Sequence, residues 1–438
     1  MLVLENVKVL YDGTGSGASS LHRNVDVFLD GARIHQVVPH AAATGLRGEQ
    51  LERIDCSDLF ASPGLIDCHG HVTSLGVTGA DLDRENSAAG ILYTEKVLYT
   101  TLVDGGVTTV RDVGGATALL RRLVDEGTVI GPRLKVAICM LSTTGGHADF
   151  RGPDRCHDMV SRLWPPAPGR PSSIVDGPWE CRKRVREIAA CGADLIKICA
   201  SPGVASPTDR IENRDFTSEE IAAICDEARG RGLRVAAHAH NASGIRLAIE
   251  NGVDDIQHAS FLDAELMDLA SKHGTTVTPT AWVIAELKRT PNLPPAVVDK
   301  VERVSDAHAR AVVTAAAGGL RILAGTDPVL PGMHGRNYLE IVHLVRSGVS
   351  PLAAWFSMTG AAAERLGLDD GGVLAAGKRA DLVLYNADVF ATPERLGAEA
   401  IVEVVKDGVA YRGGVRGLPR RRFADTVRPA LLPAEKPS

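Results

Sequence analysis

The sequence predicts an α/β protein, a (β/α)8 barrel of the TIM type that carries a small β domain formed from both chain ends. Three observations predict it. Eight apolar, strand-like runs between residues 65 and 327 alternate with helical stretches, which is the pattern of parallel βαβ units. The first sixty and last seventy residues share a hairpin texture of short apolar runs and turn dipeptides. The 438 residues are 45% hydrophobic and 23% charged, enough for a large core, which excludes wholesale disorder and a lone small binding module.

At the N-terminus, LVLENVKVLYDGTG, VDVFLDGARIHQVVP and LERIDCSDLFASPG read as β structure, with Asp30-Gly31 as a tight turn. Near the C-terminus GVLAAGKRADLVLYNAD and IVEVVKDGVAYRGG repeat that texture around Asp407-Gly408. The expected division is residues 1–60 with 370–438 for the small domain, and 61–369 for the barrel. Its strands are expected in LIDCHGHV, VTTVRDV, RLKVAICML, DLIKICA, RVAAHAH, DDIQHAS, TTVTPTAWV and RILAGTD. Thr217 and Glu220 make a capping box, and Ile221, Ile224, Cys225 and Ala228 follow as an apolar stripe ended by Gly230 and Gly232. Gly145 to Trp179 is too long and too rich in proline and arginine for a routine connection, so it is either disordered or a cover over the barrel mouth, and the cover is the favoured reading. Arg416 to Ser438, with Arg420, Arg421 and Arg422, reads as a solvated or packing extension.

Against 54 acidic residues stand 48 Lys and Arg, a formal charge of −6, so the basic excess used to bind nucleic acid is missing. No run approaches roughly 18 apolar residues, and the N-terminus lacks a basic region followed by an apolar core. A soluble cytoplasmic protein without a membrane segment is expected. The eight cysteines lie between Cys56 and Cys225 without a Cys-x-x-Cys pair, as buried thiols of a reducing compartment would.

Chemistry enters at the ends of the predicted strands. His69 and His71 alternate along the first strand, so both side chains share a face and can ligate one ion. Lys197 stands in the middle of LIKIC, where both faces of a parallel strand are buried and an unpaired ammonium costs several kcal/mol. Either it pairs with a carboxylate such as Asp112, or its ammonium reaches the barrel mouth, or its neutral amine takes up carbon dioxide to give a carbamate that bridges two cations. The fifth and sixth strands add His238, His240 and His258, and the eighth ends in Asp327. A crowded site takes only one of His238 and His240.

With PGLIDCHGHV, the strand-four lysine, HAH, QHAS and AGTD in place, the sequence resembles the amidohydrolase superfamily of metal-dependent hydrolases over nearly its whole length. The resemblance implies that the small domain is a β-sandwich. It also implies two divalent ions, zinc with manganese or cobalt as the others suited. His69, His71 and Asp327 would hold the first, His238 and His258 the second, and carbamylated Lys197 would bridge. Thr144-Gly145-Gly146-His147, SPGV after Lys197 and HAHNASGI are similar to the branch that holds metal-dependent prolidases, carboxypeptidase-like enzymes, imidazolonepropionase-like proteins and ochratoxin-cleaving amidases.

The activity this implies is hydrolysis of the amide bond of a small N-acyl amino acid or dipeptide, with Asp327 as proton shuttle. His147 would donate to the carbonyl oxygen, and His240 would orient substrate or the metal shell. Arg246, His334 and Trp282 are candidate substrate contacts. A cyclic-amide hydrolase or deaminase on the same scaffold is the alternative, although HAHNAS lacks the glutamate that many deaminases of the superfamily carry after strand five. A catalytically silent scaffold would be expected to lose ligands, and none is missing. A small-molecule partner and a homo-oligomer are expected.

Overall fold

The computed structural model describes residues 1–46, 51–74, 87–149, 168–205 and 210–421. Both chain ends meet in one eight-stranded sheet. Its N-terminal strands are β1 (Leu2–Tyr11), β2 (Leu21–Asp30), β3 (Arg33–Pro39), β4 (Glu52–Asp55) and β5 (Phe60–Pro63). Far along the chain, Leu382–Tyr385 pairs antiparallel with β5, and Ile401–Lys406 and Val409–Ala410 continue outward. Gly31 at φ 56° turns β2 into β3, and Asp407 and Gly408, at φ 52° and 74°, both take the left-handed conformation a two-residue hairpin asks for. Leu4, Val7, Leu10, Leu384 and Val405 form one buried cluster across this sheet.

The middle of the chain is parallel. β6 (Leu65–Gly70), β7 (Val107–Asp112) and β8 (Arg133–Val136) form one sheet. β9 (Met140–Leu141), β10 (Leu195–Cys199), β11 (Arg234–Ala239), β12 (Asp255–His258) and β13 (Thr276–Thr278) form another. Every residue of β6, β7, β10 and β12 is buried, as strands covered on both faces must be. The predicted capping box is present, with Thr217 Oγ1 accepting from the Glu220 N–H and Glu220 Oε2 from the Thr217 N–H.

Three expected strands are corrected. RLKVAICML breaks into β8 and β9 because Ile138 takes φ 71°. TTVTPTAWV stops at Thr278, where Pro279 has no N–H to donate and Thr280 turns to φ 55°; residues Ala281–Arg289 are a helix, so Trp282 stands in its first turn rather than on a strand. RILAGTD forms an isolated bridge, Val277 with Ile322. It nonetheless bonds on both sides, since the Leu323 N–H donates to Val277 O at 2.8 Å and the Cys68 N–H to Ala324 O at 2.9 Å, which links β13 to β6.

Of the expected cover, residues 150–167 lie outside the described residues, as do 422–438 of the tail. Arg420 donates to Gly413 O and Val415 O and Arg421 to Gly127 O, so the described part of the tail packs. Among the described residues no helix is long and apolar enough to cross a membrane.

His308, on helix Pro295–Ala317, donates from Nε2 to Pro279 O at 2.7 Å and pins that helix to the end of β13. Burial holds its imidazole down to about 4. The unfolded chain therefore binds a proton that the folded one refuses, and stability falls as pH drops from about 6.5 towards 4. His308→Gln is expected to remove roughly 2 kcal/mol of that acid sensitivity, read from urea unfolding at pH 7 and pH 4.5; an unchanged difference between the two pH values would refute it.

Candidate metal centre

The carboxyl ends of the parallel strands carry a cluster of histidines around Asp327. Nε2 of His69 and Nε2 of His71 each lie 3.4 Å from Asp327 Oδ1. Donors about 2.0–2.1 Å from a tetrahedral ion stand roughly 3.3–3.4 Å apart, so each of these imidazoles stands from Asp327 at the spacing of two ligands on one divalent cation. Beside them, the ligand atoms of His238, His240 and His258 lie within 4.8 Å of one another, and so do those of His69, His258 and Asp327. The His258 ring is 5.0 Å from that of His69 and 4.5 Å from that of His238.

Hydrogen bonds decide which nitrogen each ring offers. His71 Nδ1 faces Gly114 O at 3.1 Å, and because a carbonyl only accepts, Nδ1 holds the proton and Nε2 keeps a lone pair towards Asp327. His238 is reversed: Nε2 faces Pro202 O at 3.3 Å, which leaves the lone pair on Nδ1. His258 Nδ1 lies 2.7 Å from Thr280 Oγ1, whose own proton goes to Pro279 O, so Nδ1 donates and Nε2 keeps its lone pair. His240 Nδ1 is 2.8 Å from Ser260 Oγ.

Backbone geometry aims these groups. His258, Ala259, Thr280 and Asp327 take φ of 68°, 52°, 55° and 47°, a left-handed conformation that costs an L residue about 1–2 kcal/mol each. At His258 it breaks the alternation of β12, so Gln257 and His258 both reach the cluster. Gly325 is required as well, because a Cβ there would stand 2.7 Å from the His69 Cβ.

Two buried carboxylates hold the frame, Asp67, which the sequence did not single out, and Asp112, expected only as a partner for Lys197. Asp67 accepts from the backbone N–H groups of His69 and Thr326, from Thr326 Oγ1 and from Asn337 Nδ2, tying the histidine pair to the Asp327 turn. Asp112 accepts from the N–H groups of Val72, Gly114 and Ala116. Their signal was visible in principle, since each is a charge at the end of an apolar strand.

Neither bland expectation for Lys197 holds. Asp112 is taken by backbone donors, and Lys197 is 1% exposed, so its ammonium does not reach open water. Its Nζ donates instead to Gln257 Oε1, a neutral amide. Burial pulls Lys197 down to about 8. Burial also holds His69, His238, His240 and His258 well below the ordinary histidine range, and His71 down to about 3, so all five imidazoles are neutral bases. Asp327 is pushed up to about 7 by burial, against the pull of Lys197.

His147 stacks on His238, ring centroids 4.1 Å apart, with its backbone N–H on Asp215; Gly203 lets it in, because a Cβ there would stand 2.0 Å from the ring. His240 stacks on His258 at 4.7 Å. His334 donates from Nε2 to Ser74 O at 2.9 Å, three residues past His71. Trp282 is buried, with Arg336 over its ring at 5.8 Å, and Glu340 accepts from the N–H groups of Ala281 and Trp282. Arg246 is not brought to the cluster. Its guanidinium pairs with Glu250 and Glu265 on outer helices, which corrects the expected substrate contact.

Asp67→Ala strands two N–H groups, a hydroxyl and an amide in the interior. About 3 kcal/mol of stability or more should be lost in urea unfolding, and a loss below about 1 kcal/mol would show that Asp67 does not brace the frame.

Residues 60–417 match the amidohydrolase family. The chain is 31% identical over 376 residues to ochratoxinase of Aspergillus niger, covering 80% of this chain and 75% of that protein. It is 27% identical over 410 residues to imidazolonepropionase of Myxococcus xanthus, covering 88% and 90%. A solved Xaa-Pro dipeptidase with bound methionine in its active site superposes with a TM-score of 0.82 at 30% identity, over 94% of this chain and all of that one. With a hydrolytic set of relatives and a match over most of its length, the chain belongs to the amidohydrolase family and is a hydrolase of carbon–nitrogen bonds.

Proposed function

We propose that this hydrolase cleaves the amide bond of a small N-acyl amino acid or dipeptide with the help of two divalent ions. The observation that carries the proposal is the convergence of the buried His69, His71, His238, His258 and Lys197 with the partly exposed Asp327, a cluster rich in neutral bases, at one end of the parallel strands. We read those strands, over 61–369, as a (β/α)8 barrel, and 1–60 with 370–438 as the small β-sandwich domain. In a barrel this end is where chemistry sits.

His69, His71 and Asp327 would hold one ion and His238 and His258 the other, with Lys197 as a bridging carbamate. The donor set suits zinc, with manganese or cobalt as alternatives. Bound ions of this kind supply Lewis acidity, which acidifies a water and polarises the scissile carbonyl. Asp327 takes up a proton at its carboxylate and delivers it to the departing nitrogen. His147, held against His238, donates to the carbonyl oxygen as charge grows there. His240 orients the substrate or the metal shell, and His334 and Trp282 border the pocket. Among the described residues seven cysteines are free, six of them buried, which supports a reducing, cytoplasmic setting.

Ochratoxinase and the Xaa-Pro dipeptidase support the linear-amide reading by name. Imidazolonepropionase supports a second one, opening of a cyclic amide. Metal-reconstituted protein offered N-acyl amino acids, dipeptides and cyclic amides separates them. Amine release from the linear set is expected, and turnover confined to cyclic amides would overturn the first reading.

Lys197→Ala should lower bound metal from two ions per chain towards one and cut turnover roughly 100-fold or more; two tightly held ions with normal turnover would refute the bridge. Asp327→Asn should lower kcat by about 10²–10⁴-fold, with KM changed far less. Unchanged kcat across the pH range would remove the shuttle.

A further inference from the structure

We propose that Gln257 is a positioning residue for Lys197, its side-chain amide fixing Nζ against β12 from a base made by the buried Arg111–Asp255 pair. This rests on the reading of Lys197 as a metal-bridging group.

Gln257 is fully buried and accepts a hydrogen bond from Lys197 Nζ on Oε1. The neighbouring carboxylate is already saturated. Asp255 stands in register with Ala236, itself the register partner of Lys197, but its oxygens accept from Arg111 Nη2 and from the hydroxyls of Thr276 and Thr278 at 2.8 Å and 3.0 Å. Arg111 is fixed in turn by donating from Nε to Cys68 O at 2.6 Å, beside His69. Gln257 Nε2 lies 3.5 Å from Asp255 Oδ2, the outer limit of a hydrogen bond, so the amide sits between the ion pair and the lysine. The left-handed backbone at His258 then lets adjacent residues serve the same centre, one as a lysine partner and one as an imidazole.

An amide suits this position chemically. Carbamate formation joins the lone pair of the neutral Nζ to the carbon of CO2, moves one C–O π pair onto oxygen, and releases an N–H proton to water. Nζ keeps one N–H after the step, so its partner must accept from nitrogen before and after, and must not repel the anionic oxygens that form. Oε1 accepts in both states as part of a neutral group, and Nε2–H is a donor for an anionic oxygen. A carboxylate would accept but repel the carbamate, and a hydrocarbon offers nothing to the N–H.

The test is wild type, Gln257→Met and Gln257→Asn, each incubated with zinc and [13C]bicarbonate and read by the carbamate 13C resonance, by metal per chain and by far-UV circular dichroism. Met keeps the length without the hydrogen bond, and Asn keeps the amide one methylene too short. For whichever variants fold as wild type does, the resonance should fall several-fold, metal should drop from two ions towards one, and kcat should fall roughly 10-fold or more. Wild-type resonance intensity and two ions in a folded variant would overturn the role of Gln257 and leave the carbamate reading standing. A wild-type protein that binds zinc but shows no resonance would overturn the carbamate reading, and the inference with it.

Discussion

The site depends on one constraint, the burial of an amine among neutral bases with no carboxylate of its own. Lys197 is sealed inside the protein beside a neutral amide, while Asp255, two strands across through Ala236, is compensated by Arg111. Asp327 is an opposing charge that acts on Lys197, and it lies against His69 and His71. A pair built for stability would place a carboxylate on the ammonium, since an uncompensated buried charge is strongly destabilising. The arrangement makes physical sense once divalent cations enter, because they turn a repulsive cluster of desolvated donors into ligands.

The rest of the fold serves that cluster. Left-handed residues end β12, β13 and the eighth segment just where His258, Thr280 and Asp327 must turn inward. Asp67 and Asp112 use their oxygens on backbone N–H groups, so the segments carrying His69, His71 and Asp327 are held by side-chain hydrogen bonds as well as by strand pairing. The two sheets of parallel strands and the irregular eighth segment thus form a support whose defects are concentrated at the candidate centre.

Much of this was legible in the sequence, for physical reasons that differ by residue. Lys197 stood out because a charge in an apolar strand needs a cause, and alternation along β6 predicted that His69 and His71 share a target. The break at Ile138 was hidden, since an apolar β-branched residue gives no turn signal. Trp282 was misassigned although Pro279 was in view, because the apolar run continued past it. Arg246 could have been rejected from helix periodicity alone: Ile245, Ala248 and Ile249 are the buried stripe, and residue 246 falls outside it. Gln257 had no local signal at all. Its role comes from the neighbours that β10 and β7 bring to it.

Anomalous diffraction at the zinc edge, from crystals grown with zinc and bicarbonate, tests the central claim most directly. Two peaks are expected, one against His69, His71 and Asp327 and one against His238 and His258, with density extending from Lys197 Nζ between them. A bare Nζ still seated on Gln257, with one zinc or none at the histidines, would contradict it.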